Sequence, residues 1–363
     1  MDKLIDGFDV RRCRREDYKE FLDVLNEAFG HSAESCWFQQ NIDNCTPYPE
    51  AASDELIARH VVAADRPGGA IMGGVGVYPF ELVVAEDAPD GMRFSLPAVG
   101  VGQVSCAVEY RNRGVMSKTL KTALDDAVRD GAVVGFLGGD RYRYGRFGFD
   151  YGGAALTLDF SRGRLKTAAE AADLRARRAD AGDIAELDRM YATMPSYIKR
   201  SRDYWKMQLG RACFTWLLGE LDGGTAYIAH GENKAKITEI RGDPKTALAM
   251  ILWHMETNAL DRVSVSMPFS PGRGEPIYAY LRAASSHTRV LPCGMNLFSI
   301  FSADKIYKII EPAIRRAGVA LENDGDITAV IKYMLGAPDH PIPHGGSFSA
   351  RRLTLWISDA DNV

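Results

Sequence analysis

The sequence predicts an α+β fold, built from two consecutive copies of one mixed unit followed by a smaller α+β segment. Three observations predict it. The order strand, helix, strands, helix, strand occurs twice along the chain. A change of composition at 161–173 (SRGRLKTAAEAAD) separates the two occurrences. The length, 363 residues, exceeds one ordinary domain and suits two or three.

In the first copy, FDVRR at 8–12 reads as a strand. Phe21, Leu22, Leu25 and Phe29 then give an amphipathic helix over 16–30. Residues 70–84 and 92–108 are apolar and β-branched, with a hairpin signal at Asp90-Gly91 between them. Met116, Leu120, Leu124 and Ala127 form the stripe of a helix over 115–130, closed by Gly131. AVVGFL at 132–137 reads as a short buried strand.

The second copy starts with LRARR at 174–178 and a helix carrying Ile184, Leu187, Met190 and Tyr191. Three strands follow near 214–221, 225–230 and 235–241. A helix then opens at Asp243-Pro244, with Asp as N-cap and Pro in the first turn, and runs to about 260. A strand at 262–267 ends the copy. The tail has an apolar strand (MNLFSIF), helices near 303–317 and 325–335, a Pro/His/Gly loop at 336–346 and a terminal apolar segment. The expected domains are 1–160, 174–293 and 294–363.

Hydrophobic residues at 46% and charged residues at 25% are ordinary globular values, so a sizeable core is expected. A net charge of −4 argues against a nucleic-acid partner. The cysteines at 13, 36, 45, 106, 213 and 293 form no CxxC pair. A disulfide framework or zinc ribbon is therefore not expected, and reduced thiols fit a cytoplasmic setting. No signal peptide or membrane span is read, because the charged N-terminus lacks an apolar stretch and no window approaches 18 apolar residues.

The most informative stretch runs from Val104 to Met116 (VSCAVEYRNRGVM). A buried strand leads into a turn holding Arg111, Asn112, Arg113 and Gly114, and a helix begins at Val115 and Met116. Helix N-termini leave N–H groups unpaired and carry partial positive charge. A pyrophosphate satisfies both, glycine permits its close approach, and arginines add charge-assisted contacts. Backbone groups of Val104, Ser105 and Cys106 would pair with an extended ligand arm as an added strand does. Gly139 and Asp140, after the next buried strand, complete the candidate cofactor set.

The R-x-x-G-x-(G/A) pattern at this junction resembles the acetyl-CoA signature of the GNAT superfamily, with Met116 at the last position. RYRYGRFGF at 141–149, taken with GVGQVSCAVEYRNRGVM, resembles the Eis (enhanced intracellular survival) family of GNAT enzymes. The resemblance implies two tandem GNAT folds and a sterol-carrier-protein-like C-terminal domain. It implies acetyl-CoA as co-substrate, with no metal, and a small-molecule amine or a lysine as acceptor. It also implies assembly into hexamers. By position, Tyr144 becomes the proton donor to the leaving thiolate, and the terminal carboxylate, on Val363, the general base. Two departures accompany this: a tail shorter than expected, and valine as the terminal residue.

Other signals are set aside. His340 and His344 have zinc-like spacing, but Pro341 and Pro343 forbid the helix it needs. Cys106 reads as a structural thiol, without a histidine near it in sequence. SPGRGEP at 270–276 is a turn, not a phosphate loop. In the second copy Asp243 occupies the cap where a phosphate would sit, so one cofactor site per chain is expected and the second copy walls the substrate pocket. Two other functions compete with the transferase: a non-catalytic acyl-CoA sensor, and a carrier of apolar ligands through the tail.

Overall fold

The computed structural model describes residues 7–42, 45–168, 173–292, 296–316, 318, 324–335, 353–358 and 361. The first unit runs β1 (Asp9–Arg12), α1 (Arg15–Ala28), α2 (Trp37–Asn41), α3 (Asp54–Ile57), β2 (His60–Ala64), β3 (Ile71–Glu86) and β4 (Arg93–Cys106). It continues through α4 (Val115–Arg129), β5 (Val134–Gly138), α5 (Arg141–Tyr144) and β6 (Asp150–Tyr151). β7 (Ala154–Ser161) and α6 (Arg162–Ala168) lead into the second unit. That unit contains β8 (Arg175–Arg178), α7 (Ile184–Tyr191), β9 (Ser196–Ile198), α8 (Arg202–Gly210), β10 (Thr215–Leu221), β11 (Gly224–His230) and β12 (Lys236–Gly242). It ends with α9 (Pro244–Thr257), β13 (Arg262–Pro268), α10 (Pro276–Ala284) and β14 (His287–Pro292). The tail adds β15 (Asn296–Ile300), α11 (Ala303–Arg316), α12 (Asp324–Met334) and β16 (Leu353–Thr354).

The internal repetition is visible in the sheets. One orders its strands β1-β2-β3-β4-β5 and the other β8-β10-β11-β12-β13, each beyond these continued by further strands. In both, the first four strands are antiparallel and the last pair is parallel, joined by a crossover helix, α4 or α9. The crossover is what makes the last pair parallel, because a parallel connection needs a long excursion. α4 forms because Leu120, Ala123, Leu124 and Ala127 share one face and all of them bury in the first unit's core.

The sheets do not follow the expected domain boundaries. β7, before residue 161, lies between β13 and β14 in the second sheet. β15, from the tail, pairs with β5 and β6 in the first. Each sheet is thus completed by a strand from outside its own unit. The stretch 161–173 is also not all linker, since α6 occupies 162–168. Among the described tail residues none forms a separate sheet. Ile306, Ile310, Ile314, Val330 and Ile331 instead join the core beneath the first sheet. The loop at 336–346, with His340 and His344, lies outside the described residues.

One edge of the 16-residue β3 takes three successive partners: β2, then β9 from the second unit, then β16 from the tail. The terminal strap alternates as an extended chain must. Leu353, Leu355 and Ile357 enter the first unit's core, and Trp356 enters the second unit's. The strap ends in a buried ion cluster. Arg200 donates to Asp361 through Nε and Nη2, both at 2.8 Å, and to Glu239 at 3.0 and 2.8 Å. Tyr191 and Tyr227 donate to Asp361 and Glu239 at 2.9 and 2.8 Å. The guanidinium also lies 3.9 Å from the Tyr191 ring centroid and 4.5 Å from that of Trp205.

All three charged side chains of this cluster have no solvent exposure. Removing the single cation would leave two buried carboxylates uncompensated. Arg200→Met is expected to lower stability by about 3–5 kcal/mol, read as a fall in the urea midpoint. A midpoint unchanged from wild type would show that the cluster is not holding the strap.

Candidate active site

The parallel pair β4 and β5 is registered only at Ala98–Val134, Val99–Gly135 and Gly100–Phe136. Beyond Gly100, β4 continues to Cys106 with no partner strand on that side among the described residues. The strands part at their C-terminal ends, where open α/β sheets bind ligands. A cleft of about 780 Å³ opens there.

The cleft is lined by Val104, Ser105, Cys106, Arg111, Asn112, Gly114, Val115 and Met116, as the sequence predicts. Arg113 does not line it. Gly114 sits at φ +83° as the N-cap of α4, with no side chain capping the helix. That φ suits glycine, and a side-chain cap there would occupy the anion's place. Arg111 donates to the Ala28 carbonyl at 3.1 Å, closing one rim against the end of α1.

Gly139 and Asp140, predicted to touch the cofactor, lie elsewhere. Asp140 accepts from the Tyr142 N–H at 2.8 Å and caps α5. A Cβ on Gly139 would stand 2.6 Å from the Tyr144 ring, so this glycine lets the ring pack against the strand end. Both residues position Tyr144 instead of lining the cleft.

Six lining residues were not singled out from the sequence, Tyr110 and Ser117 among them. Ala28 and Phe29 come from the end of α1, and Arg143 and Arg146 from the aromatic-glycine stretch. Arg146 reaches across to donate to the Ser117 hydroxyl at 2.9 Å. The two arginines were legible in RYRYGRFGF as charge beside Tyr144. Ala28 and Phe29 had no local signal.

Tyr144 is 6% exposed and packs edge-on to Phe149, with Leu137 and Val101 in the same core. Burial raises its phenol above the ordinary value, and the Arg143 guanidinium opposes that rise. A rise in that direction makes the phenol a weaker proton donor than an unshifted tyrosine. The Cys106 thiol is also raised by burial, which fits a structural thiol and not an activated nucleophile. Val363 lies outside the described residues. Asp361, two residues before it, is fixed by Arg200. In the second unit, Asp243 caps α9 by accepting from the Thr246 N–H at 2.9 Å.

At Gln103 the register of β4 on β3 shifts: Gly74 pairs with Ser105 but Gly76 with Gly102. The extra residue makes a bulge. Beside it lies a buried polar group: the Tyr78 hydroxyl is 2.7 Å from Gln103 Oε1 and 2.9 Å from His60 Nε2. Tyr78 also lines a second cleft, of about 720 Å³, between the units. Ser53, Glu55 and Phe80 line it from the first unit, and Lys199, Asp203, Tyr204 and Met207 from the second.

Residues 9–152 match the family described as an acetyltransferase (GNAT) domain. An uncharacterized N-acetyltransferase of Streptomyces avermitilis is 30% identical over 195 residues, covering 51% of this chain and 42% of that protein. One from Streptomyces coelicolor is 30% identical over 190 residues, covering 48% and 40%. The match therefore spans less than half the length of these relatives. Among solved structures, a GCN5-related N-acetyltransferase from Kribbella flavida shares the fold, with TM-score 0.60, 15% identity and coverage of 82% and 72%. An Eis protein of Mycobacterium abscessus does so with TM-score 0.54, 14% identity and coverage of 85% and 75%. No described helix is long and apolar enough to cross a membrane. No group of three or more candidate metal ligands occurs among the described residues.

Complete burial lowers the His60 imidazole from 6.5 to about 4. The folded chain then binds fewer protons than the unfolded chain between those values, so stability falls as pH drops through that window. The loss by its lower end is roughly 3 kcal/mol. Urea midpoints measured from pH 7 to 4.5 should fall less steeply for His60→Gln than for wild type. Equal slopes would show that His60 titrates normally in the fold.

Proposed function

We propose that this chain is an acetyl-CoA-dependent N-acetyltransferase acting on the amine of a small molecule or a lysine. The observation that carries the reading is the parting of β4 from β5 beside the uncapped, glycine-led N-terminus of α4. The residues present fit the co-substrate. The first turn of α4, Arg111, Arg143 and Arg146 offer N–H groups and positive charge to its phosphates. The backbone of Val104 to Cys106, with no partner strand on that side among the described residues, offers a strand edge to its pantetheine arm.

The acceptor amine is placed in the second cleft, where the second unit supplies one wall. A neutral amine attacks the thioester carbonyl directly. Backbone N–H groups at the β4 bulge polarise that carbonyl. The Tyr144 phenol is protonated at neutral pH and hands its proton to the departing sulfur. The Val363 carboxylate is assigned as the base. In support, Asp361 is held by Arg200, whose chain neighbours Lys199 and Ser201 line the second cleft. A cytoplasmic setting and assembly into oligomers belong to the same reading.

Calorimetry with acetyl-CoA, and a thiol-release assay over an amine panel, test the proposal. Binding with amine-dependent thiol release supports it. Binding without turnover on any amine favours an acyl-CoA sensor. Arg111→Ala and Arg146→Ala should each weaken acetyl-CoA binding roughly tenfold or more, the usual loss of a charged hydrogen bond. Tyr144→Phe should lower kcat by about 100-fold, the low end for a general acid. Wild-type turnover in Tyr144→Phe would remove the acid assignment, and full activity after deletion of the last four residues would remove the base.

A further inference from the structure

Gln103 holds φ +50°, the left-handed region that glycine occupies without strain and that other residues enter only at a cost. The position is the extra residue of the β4 bulge, the place where glycine is usual. A glutamine kept there implies work for its side chain. That side chain is buried, and Oε1 accepts from the Tyr78 hydroxyl at 2.7 Å. Tyr78 is held in turn by His60, with Nε2 at 2.9 Å.

The histidine is neutral at ordinary pH. His60 Nδ1 lies 3.2 Å from the Ile57 carbonyl, its Nε2 meets the Tyr78 hydroxyl at 2.9 Å, and that hydroxyl donates to Gln103. The surroundings are shaped for this chain of bonds. A Cβ on Gly76 would stand 2.4 Å from Gln103 Oε1 and 2.5 Å from the Tyr78 hydroxyl, so glycine on β3 makes the room. One residue further along, Val104 begins the wall of the cofactor cleft, while Tyr78 itself lines the second cleft.

We propose that Gln103 and Tyr78 form a positioning pair that fixes the β4 bulge and thereby aims its backbone groups at the acyl carbonyl. The role rests on the acetyl-CoA reading of the cleft. Neither residue is assigned contact with the reacting atoms; both act through the backbone of residues 103 and 104. The pair also ties the two clefts together, since a side chain lining the acceptor side clamps the strand lining the cofactor side.

The test uses the full chain with the variants Gln103→Gly, Tyr78→Phe and the double substitution. Acetyl-CoA carrying carbon-13 at its carbonyl reports the polarisation of that group without any acceptor or turnover. In wild type the bound resonance should lie downfield of free acetyl-CoA, and in each variant it should move back toward the free position. Each single variant should lower kcat for thiol release about tenfold or more while the KM for acetyl-CoA stays within about twofold. The double variant should be no worse than the poorer single one, because the two residues act as one unit. Urea midpoints measured on each variant beside kcat and the resonance separate a positioning loss from a folding loss, since a folding loss alone leaves the folded fraction's bound resonance unmoved. A Gln103→Gly chain with wild-type kcat and an unmoved carbonyl resonance would overturn the proposal. A wild-type chain that binds acetyl-CoA without displacing the resonance would overturn it too, leaving the cofactor reading intact. A wild-type chain that binds no acetyl-CoA would instead overturn the cofactor reading itself.

Discussion

Two parallel strands that stay paired for only three residues organise the first unit. β4 and β5 are held together from Ala98 to Gly100 and diverge afterwards. The divergence leaves a run of backbone N–H and C=O groups without a ladder, a cost that a fold tolerates only where water or a ligand takes their place. The same divergence puts the start of α4 at the mouth of the gap, with Gly114 turning the chain and no side chain covering the helix end. Strand edge, helix dipole and cleft arginines therefore converge on one elongated anionic molecule.

The long β3 strand keeps this gap attached to the rest of the chain. One half of its edge pairs with β2 inside the unit. The other half accepts β9 and β16 from elsewhere in the sequence. The exchange of β7 and β15 between the sheets does the same at the far side. Neither sheet is complete from its own unit, so the two units fold around shared strands. The ion cluster at Arg200 ends the strap that crosses between the two cores. Its two carboxylates, one guanidinium and two phenols satisfy one another in a place without solvent. Burial raises Asp361, and the adjacent guanidinium counters that shift.

Three titratable groups of the first unit share one tendency. Burial raises Tyr144 and Cys106 and lowers His60, so each favours its neutral form. Fixed positive charge is left to arginines at the rim, which do not titrate in the accessible range. Such a site suits transfer from a thioester to an amine, where a neutral donor and fixed dipoles serve better than a permanently charged nucleophile.

Much of this was legible in the amino-acid sequence. Periodic apolar residues marked α1, α4, α7 and α9 and most of the strands, because those patterns depend only on residues a turn or two apart. The R-N-R-G turn and its strand-to-helix context marked the cleft, since glycine and helix-end chemistry are local as well. What local pattern could not supply was partnership. An apolar run specifies a strand but not the neighbour it pairs with, so the pairing of β15 with β5 and of β7 with β13 and β14 was not legible. Gly139 and Asp140 were assigned to the cofactor when they serve Tyr144. The bulge at Gln103, the reach of Arg146 across to Ser117 and the meeting of Arg200 with Asp361 join residues up to 161 positions apart. By itself the sequence determined the secondary structure and the chemistry of one turn. Only the tertiary structure decided which strands close each sheet and which distant side chains surround the cleft, because those contacts come from chain closure and burial that no short window contains.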